Sequence, residues 1–299
     1  MLSKTNYKGR FAPSPTGPLH FGSAVAAVGS YLQARSQCGT WLVRIEDLDP
    51  IREVPGATAS ILRTLEKLGL YWDGEVIYQN QRTEAYLAML DWLRRDGMLY
   101  PCGCTRKEIA ERGHRGRYGP IYNGHCRPGL SHNKKPRALR ILTHNSPIVF
   151  EDAIRGTFSQ RLESEFGDFV VRRADDLFAY QLAVVVDDAG QGITEVVRGS
   201  DLLDNTPRQI HLQQLLQLGT PRYVHLPVAL NALGQKLSKQ TGAPPIESQR
   251  PQHVIIEVLE FLGQQPPADL SNNHVDEVLS WAVQNWNLAK VPTSDKRQP

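Results

Sequence analysis

The stretch Gly9-Arg10-Phe11-Ala12-Pro13-Ser14-Pro15-Thr16-Gly17-Pro18-Leu19-His20-Phe21-Gly22 decides the fold of this chain. Residues 9–13 read as a short strand that proline ends, since proline brings no N–H to a ladder. Residues 21–37 follow as a helix rich in small side chains (Ala24, Ala26, Ala27, Gly29), suited to close packing on a sheet. At such a helix start the first backbone N–H groups point outward unpaired, and the helix dipole favours an anion there. Gly17 and Gly22 let a nucleotide approach the backbone, because no Cβ intervenes. His20, between them, can donate a hydrogen bond to a phosphate oxygen whose charge grows during displacement at phosphorus. A lone His-x-Gly is usually an incidental turn. The longer pattern Pro-x-Pro-x-Gly-x-x-His-x-Gly is far more specific.

Working outward, residues 41–45 form a second buried strand that ends in the acidic turn Glu46-Asp47-Leu48-Asp49-Pro50. Helical patterns follow at 57–68 and 82–95. Strand and helix in alternation predict an α/β protein built on a parallel, doubly wound sheet. Near Tyr100 the pattern breaks. Residues 100–173 carry cysteines, glycines and prolines with short strand-like pieces at 138–142 and 148–150, and read as an inserted α+β module. The alternation returns with the apolar run 182–186, which stands in the strand position before an amphipathic helix at 207–218. A strand at 223–230 comes next. This divides the chain into a catalytic domain (1–99 and 174–240), the insertion (100–173) and a short helical region (241–299). That last region has helices at 254–262 and 275–286 and a disordered tail from residue 292.

A second segment, Gly234-Gln235-Lys236-Leu237-Ser238-Lys239-Gln240-Thr241-Gly242, reads as a glycine-flanked loop able to close over a nucleotide. Two lysines in a polar loop are commonly just solvated. Paired with the first segment, Lys236 and Lys239 instead read as point charges for the leaving phosphates.

With 299 residues, 40% hydrophobic and 22% charged, the chain has room for about two domains of ordinary soluble composition. A net charge of +3 permits a polyanionic partner without demanding one. The basic clusters Arg106-Lys107, Arg112 to Arg117 and Lys134-Lys135-Pro136-Arg137 all fall within the insertion. Residues 1–8 hold no apolar run for a signal peptide, and no stretch approaches the roughly 20 apolar residues of a membrane span. The expectation is a cytoplasmic monomer with no membrane contact. Of four cysteines, Cys102, Cys104 and Cys126 cluster, which in a reducing compartment reads as a metal site. A tetrahedral structural zinc needs a fourth ligand, and ligand chemistry alone suggests His125. Cys38 reads as a partly buried thiol, and His211 and His225 as ordinary helix or strand residues.

Taken together, the His20 and Lys236–Lys239 segments resemble the HIGH and KMSKS signatures of class I aminoacyl-tRNA synthetases. Arg10-Phe11-Ala12-Pro13-Ser14, Arg44-Ile45-Glu46-Asp47-Leu48-Asp49 and Arg198-Gly199-Ser200-Asp201-Leu202-Leu203 are similar to the glutamyl branch, in the same order along residues 1–240. The resemblance implies a Rossmann-type catalytic domain. It places glutamate on Arg10, Phe11, Ala12, Pro13, Ser14, Glu46, Tyr180 and Arg198, with guanidinium forks for two carboxylates and Glu46 for the amino group. ATP, with its Mg²⁺, falls to Gly17, His20, Gly22, Lys236, Ser238 and Lys239; of these, His20, Lys236 and Lys239 are the catalytic set. Arg44 and Asp47 belong to this site or form a structural ion pair. Two positions depart from the family pattern: Ser23 stands where many members have histidine, and Gln240 where a small or basic residue is usual.

Within this branch, the lack of room after Lys239 for an anticodon-reading region resembles the glutamyl-Q tRNA(Asp) synthetases. That group's Cys-x-Cys…Tyr-x-x-x-Cys pattern puts Tyr122 beside Cys102, Cys104 and Cys126 on a structural Zn²⁺, with His125 as the alternative. The implied reaction activates L-glutamate to glutamyl-adenylate without tRNA, then transfers it to queuosine at the wobble position of tRNA(Asp). Three rivals share these features. One is a short glutamyl- or glutaminyl-tRNA synthetase charging the tRNA 3′ end. Another is a synthetase-like enzyme with a non-tRNA acceptor. The third is a zinc-stabilised nucleic-acid-binding protein without catalysis.

Overall fold

The structure, a computed structural model, describes residues 6–231, 234–236 and 244–297. Strand β1 (Lys8–Phe11) pairs in parallel with β2 (Thr40–Ile45), and β2 in parallel with β3 (Ile77–Tyr78). Parallel neighbours need crossovers, and α1 (Phe21–Ser36) and α2 (Ala57–Lys67) supply them. The small residues of α1 serve close approach: a Cβ on Gly29 would lie 2.6 Å from Leu226 Cδ1. Helix α3 (Thr83–Arg95) then leads out of this half.

The insertion begins with β4 (Leu99–Cys102), α4 (Arg106–Arg112), and the hairpin of β5 (Arg115–Gly116) and β6 (Gly119–Pro120). It continues through β7 (Ala138–Ile141), β8 (Ile148–Asp152), β9 (Gly156–Gln160), α5 (Leu162–Glu165) and β10 (Val170–Arg172). Strands β4, β7 and β10 make an antiparallel sheet with β7 in the centre. The β8–β9 hairpin goes elsewhere. It joins the sheet of β11 and β12 through the parallel pair Tyr223↔Asp152. Residues 148–160 thus lie inside the expected insertion by sequence but extend the β11–β12 sheet in space.

The apolar run 182–186 corrects the sequence reading, because it lies within helix α6 (Tyr180–Gln191). Residues 181–188 are all buried there, so no exposed stripe marks the helical period, and the short apolar run 182–186 looks the same as a buried strand. The strand is β11 (Glu195–Gly199), which carries Arg198 and pairs in parallel with β12 (Arg222–Leu226) across α7 (Thr206–Leu215). Strands β1 and β11 abut where the Thr194 N–H donates to Lys8 O at 2.9 Å. The two halves of the wound fold meet there, and ligands of such sheets bind in the crevice at the strand ends.

After β13 (Ala229–Leu230), helices α8 (Pro251–Phe261) and α9 (Val275–Asn285) cover α1; Phe21 meets Phe261 edge-on at 5.5 Å. The tail departs from the disorder expected after residue 292. Strand β14 (Lys296–Arg297) pairs in parallel with β13, and Asp295 accepts from Arg155 Nη2 and Ser200 Oγ at 2.7 Å each. Among the described residues no helix is long and apolar enough to cross a membrane.

Candidate active site

A cleft of about 670 Å³ opens where β1, the start of α1 and the end of β11 meet. Its walls include Arg10, Phe11, Ala12, Pro13, Ser14, His20, Gly22, Glu46, Tyr180, Arg198 and Lys236. One cavity therefore gathers residues from five separate stretches of chain. Gly17 does not line it; it turns the chain with φ +132°, a conformation that disfavours side chains. His20 is the extended N-cap of α1, and its carbonyl accepts from the Ala24 N–H at 2.9 Å. Pro245 bridges back to His20, and the Ile246 N–H donates to Leu19 O at 3.1 Å. The segment after the lysine loop is thus tied to the first motif. Lys236 forms an ion pair with Asp201 at the rim. Ser238 and Lys239 lie outside the described residues.

The two expected substrate arginines differ in their surroundings. Arg10 is buried and paired with Asp188: Nε donates to Oδ1 at 3.0 Å and Nη2 to Oδ2 at 3.3 Å. Arg44, fully buried, donates to the same Oδ1 at 2.8 Å and to Glu46 Oε1 at 3.3 Å. Burial opposes the Asp188 charge, but Arg10 and Arg44 outweigh it and hold its pKa below the usual carboxylate range. Arg44 does not pair with Asp47, which accepts instead from the Asn80 N–H at 2.9 Å. Arg44 is thus the structural half of that question: it braces Asp188 and Glu46 from behind.

Arg198 is held by neutral acceptors. Nε donates to His225 Nε2 at 3.1 Å, and Nη2 to Thr206 Oγ1 at 2.9 Å and Gln209 Oε1 at 2.8 Å. Nη1 reaches the Tyr180 hydroxyl at 3.4 Å on the cleft side. Glu46 sits across the cleft, and burial raises its pKa above the usual value despite Arg44 and Arg10. His225 is no ordinary strand residue: it is fully buried between Arg198 and Asp152. A histidine on a strand gave no sequence signal of this, since its partners are 27 and 73 residues away.

In the insertion, the Sγ atoms of Cys102, Cys104 and Cys126 lie within 4.8 Å of one another. The Tyr122 hydroxyl oxygen accepts from the Cys102 thiol at 3.5 Å and from the Cys126 N–H at 2.9 Å. Cys102, Tyr122 and Cys126 are buried, whereas His125 is exposed and stands apart from the cluster. Three thiols with a phenol at their edge suit a thiophilic metal such as zinc. Cys38, expected to be partly buried, is exposed.

A model of the catalytic domain of class I tRNA synthetases (E and Q) matches residues 7–279. The glutamyl-Q tRNA(Asp) synthetase of Chromobacterium violaceum is 51% identical over 298 residues, covering 100% of this chain and 99% of its own. The protein of that name in Dechloromonas aromatica is 53% identical over 96% of each chain. The Escherichia coli protein is 51% identical over 98% of this chain and 93% of its own. Among solved structures, the glutamate tRNA ligase of Elizabethkingia meningosepticum in complex with its amino acid superposes with a TM-score of 0.81 at 26% identity. That match covers 99% of this chain and 67% of the ligase.

Proposed function

The chain belongs to the class I tRNA synthetases of the E and Q type, and from that premise we propose that it activates L-glutamate with ATP, without tRNA, and transfers it to queuosine of tRNA(Asp). The observation that carries the amino-acid half is the cleft itself. It holds an arginine on neutral partners, a second arginine and an acid beside the start of α1, matching an amino acid with two carboxylates and one ammonium.

In the first step, a carboxylate oxygen of glutamate attacks the α-phosphorus of ATP, forming the acyl phosphate bond as pyrophosphate leaves. The chain needs no nucleophile of its own; it orients the reactants and stabilises charge. Arg198 and the cleft face of Arg10 take carboxylates, with Tyr180 beside Arg198, and Glu46 takes the ammonium. Phe11 at the end of β1, with Ala12, Pro13 and Ser14 after it, lines the pocket beside the amino acid. His20 and Gly22 receive phosphates at the start of α1, and Gly17 shapes the turn that leads into it. Lys236 must leave Asp201 to do the same, and Ser238 and Lys239 complete that set. Mg²⁺ enters with ATP as part of the substrate. Cys102, Cys104, Cys126 and Tyr122 would hold a structural zinc, which supplies cross-linking of the insertion.

In the second step, the adenylate passes glutamate to the modified base. Arg106, Lys107, Arg112, Lys135 and Arg137 in the insertion would contact phosphates of the loop, a salt-sensitive grip with little sequence selectivity. A cytoplasmic monomer remains part of this reading. Two assays test it. Glutamate should drive ATP–pyrophosphate exchange with no tRNA present. Queuosine-containing tRNA(Asp) lacking its 3′-terminal adenosine should still accept glutamate, whereas an unmodified transcript should not. The opposite pair of results would make the protein a 3′-end synthetase.

A further inference from the structure

Asp152, His225 and Arg198 form a buried chain that leads into the cleft. Asp152 Oδ2 lies 2.6 Å from His225 Nδ1, and His225 Nε2 lies 3.1 Å from Arg198 Nε. Both Asp152 and His225 side chains are fully buried. The other Asp152 oxygen is occupied by the turn that follows β8, accepting from the Ile154 N–H at 3.0 Å and the Arg155 N–H at 2.8 Å. A carboxylate can only accept, so the shared proton sits on His225 Nδ1. The lone pair is then on Nε2, facing Arg198. Burial keeps the imidazole neutral, its pKa pushed down to about 4.

Arg10 shows the alternative arrangement. A carboxylate, shared with Arg44, touches it directly and offsets part of its charge within the protein. At Arg198 the neutral imidazole stands between guanidinium and carboxylate. Thr206, Gln209 and the Leu202 carbonyl fix Nη2, again without charge. Among the described residues no carboxylate forms an ion pair with Arg198.

We propose that Asp152 and His225 are positioning residues for the anionic substrate: they orient Arg198 while leaving its charge uncancelled for a carboxylate ligand. This rests on reading the cleft as a glutamate pocket and assigns two residues outside it to that task. The imidazole acts as a spacer. It accepts the hydrogen bond that fixes the guanidinium plane, and Asp152 fixes the tautomer that makes this possible.

The test measures glutamate-dependent ATP–pyrophosphate exchange for the wild type, His225→Leu, His225→Gln and His225→Glu, with a melting curve for each. His225→Leu removes the acceptor and should raise the KM for glutamate by about tenfold or more, since hydrogen bonds to charged groups are worth that much. The KM for ATP should stay near its wild-type value. His225→Gln offers an amide oxygen in place of Nε2 and should recover most of that loss. His225→Glu keeps an acceptor but places a charge on Arg198, and should raise the glutamate KM at least as far as His225→Leu. If that variant does not fold, the Leu–Gln contrast decides alone. An unchanged glutamate KM in folded His225→Leu overturns the proposal. So does a loss of kcat and of both KM values that simply tracks melting temperature across the variants. A wild type that neither exchanges with glutamate nor is stabilised by it sinks the glutamate reading as well, so the two failures are told apart.

Discussion

Glu46 lies on the cleft wall, where the proposed reading gives it the substrate ammonium, and burial works against its charge. Its pKa is raised, so it gives up its charge at a higher pH than an exposed glutamate does. As pH falls toward that raised value, the attraction for the substrate ammonium is lost and the KM for glutamate should climb. Glu46→Gln should raise that KM by roughly 10- to 100-fold, as expected for losing a charge-assisted hydrogen bond. Exchange kinetics between about pH 5 and pH 8 check both claims, because the variant should also lose the acid-side rise. His225 gives a second, independent pH signature. Its pKa is 6.5 for the free side chain and about 4 when folded, so between those values the unfolded chain holds the extra proton. Stability therefore falls as pH drops from 6.5 toward 4, with this one group contributing up to ~1.4 kcal/mol per pH unit. Denaturant unfolding should show a shallower acid slope in His225→Gln than in the wild type, and identical slopes would remove His225 from the account.

At the scale of elements, what could be read from sequence was what local spacing determines. The turn from β1 into α1 was legible because Pro13, Gly17, His20 and Gly22 act within ten residues of one another. The thiol cluster was legible for the same reason, through Cys102-Gly103-Cys104 and Tyr122 to Cys126. Helix α6 was not, since residues 182–186 are all apolar and the polar residues beside them are buried as well. Nor was the destination of the β8–β9 hairpin, because pairing with β12 is a contact between distant residues that no local pattern encodes. The insertion also rests on one close approach that sequence could not show. Gly167 has φ +71°, and a Cβ there would lie 2.0 Å from the Tyr122 carbonyl oxygen. Gly167→Ala should therefore displace Tyr122 and lower the amount of zinc retained after dialysis against a chelator. Gly156→Ala is the control: its φ is +73° but no atom lies within 4 Å, so it should bear only the backbone cost of about 1–2 kcal/mol and keep its metal. Equal metal retention in the two variants would show that Gly167 does not hold Tyr122 in place. Tyr122→Phe should likewise lose more zinc than His125→Ala, given the exposure of His125.

Across the whole molecule, the cleft is lined by parts that sequence separates widely, β1, the start of α1 and the ends of β11 and β12, and is braced from outside by the turn after β8 and the tail. The motif residues locate the site, but the groups that support it come from elsewhere and are fixed only by tertiary packing. The tail is the clearest instance. Asp295 accepts from Ser200 Oγ, Arg155 Nη2 and the Val228 N–H, and Arg155 Nε in turn donates to the His225 carbonyl at 3.2 Å. Val228 lines the cleft, and Ser200 directly follows the lining residue Gly199. Asp295 thus joins the segments that follow β11 and β12 beside the cleft to the strand that carries His225. Its carboxylate is partly exposed, which limits its worth, so Asp295→Ala should cost about 1–2 kcal/mol and lower the melting temperature by a few degrees. The more telling effect should be kinetic. With Ser200 and Val228 released, the cleft-lining segments at 199–201 and 226–228 lose a common anchor, and the KM for ATP or glutamate should rise several-fold with kcat less affected. Removing residues 292–299 should reproduce both effects. Wild-type KM values in Asp295→Ala, measured well below its melting temperature, would show that the tail only fastens the fold and leaves the site indifferent to it.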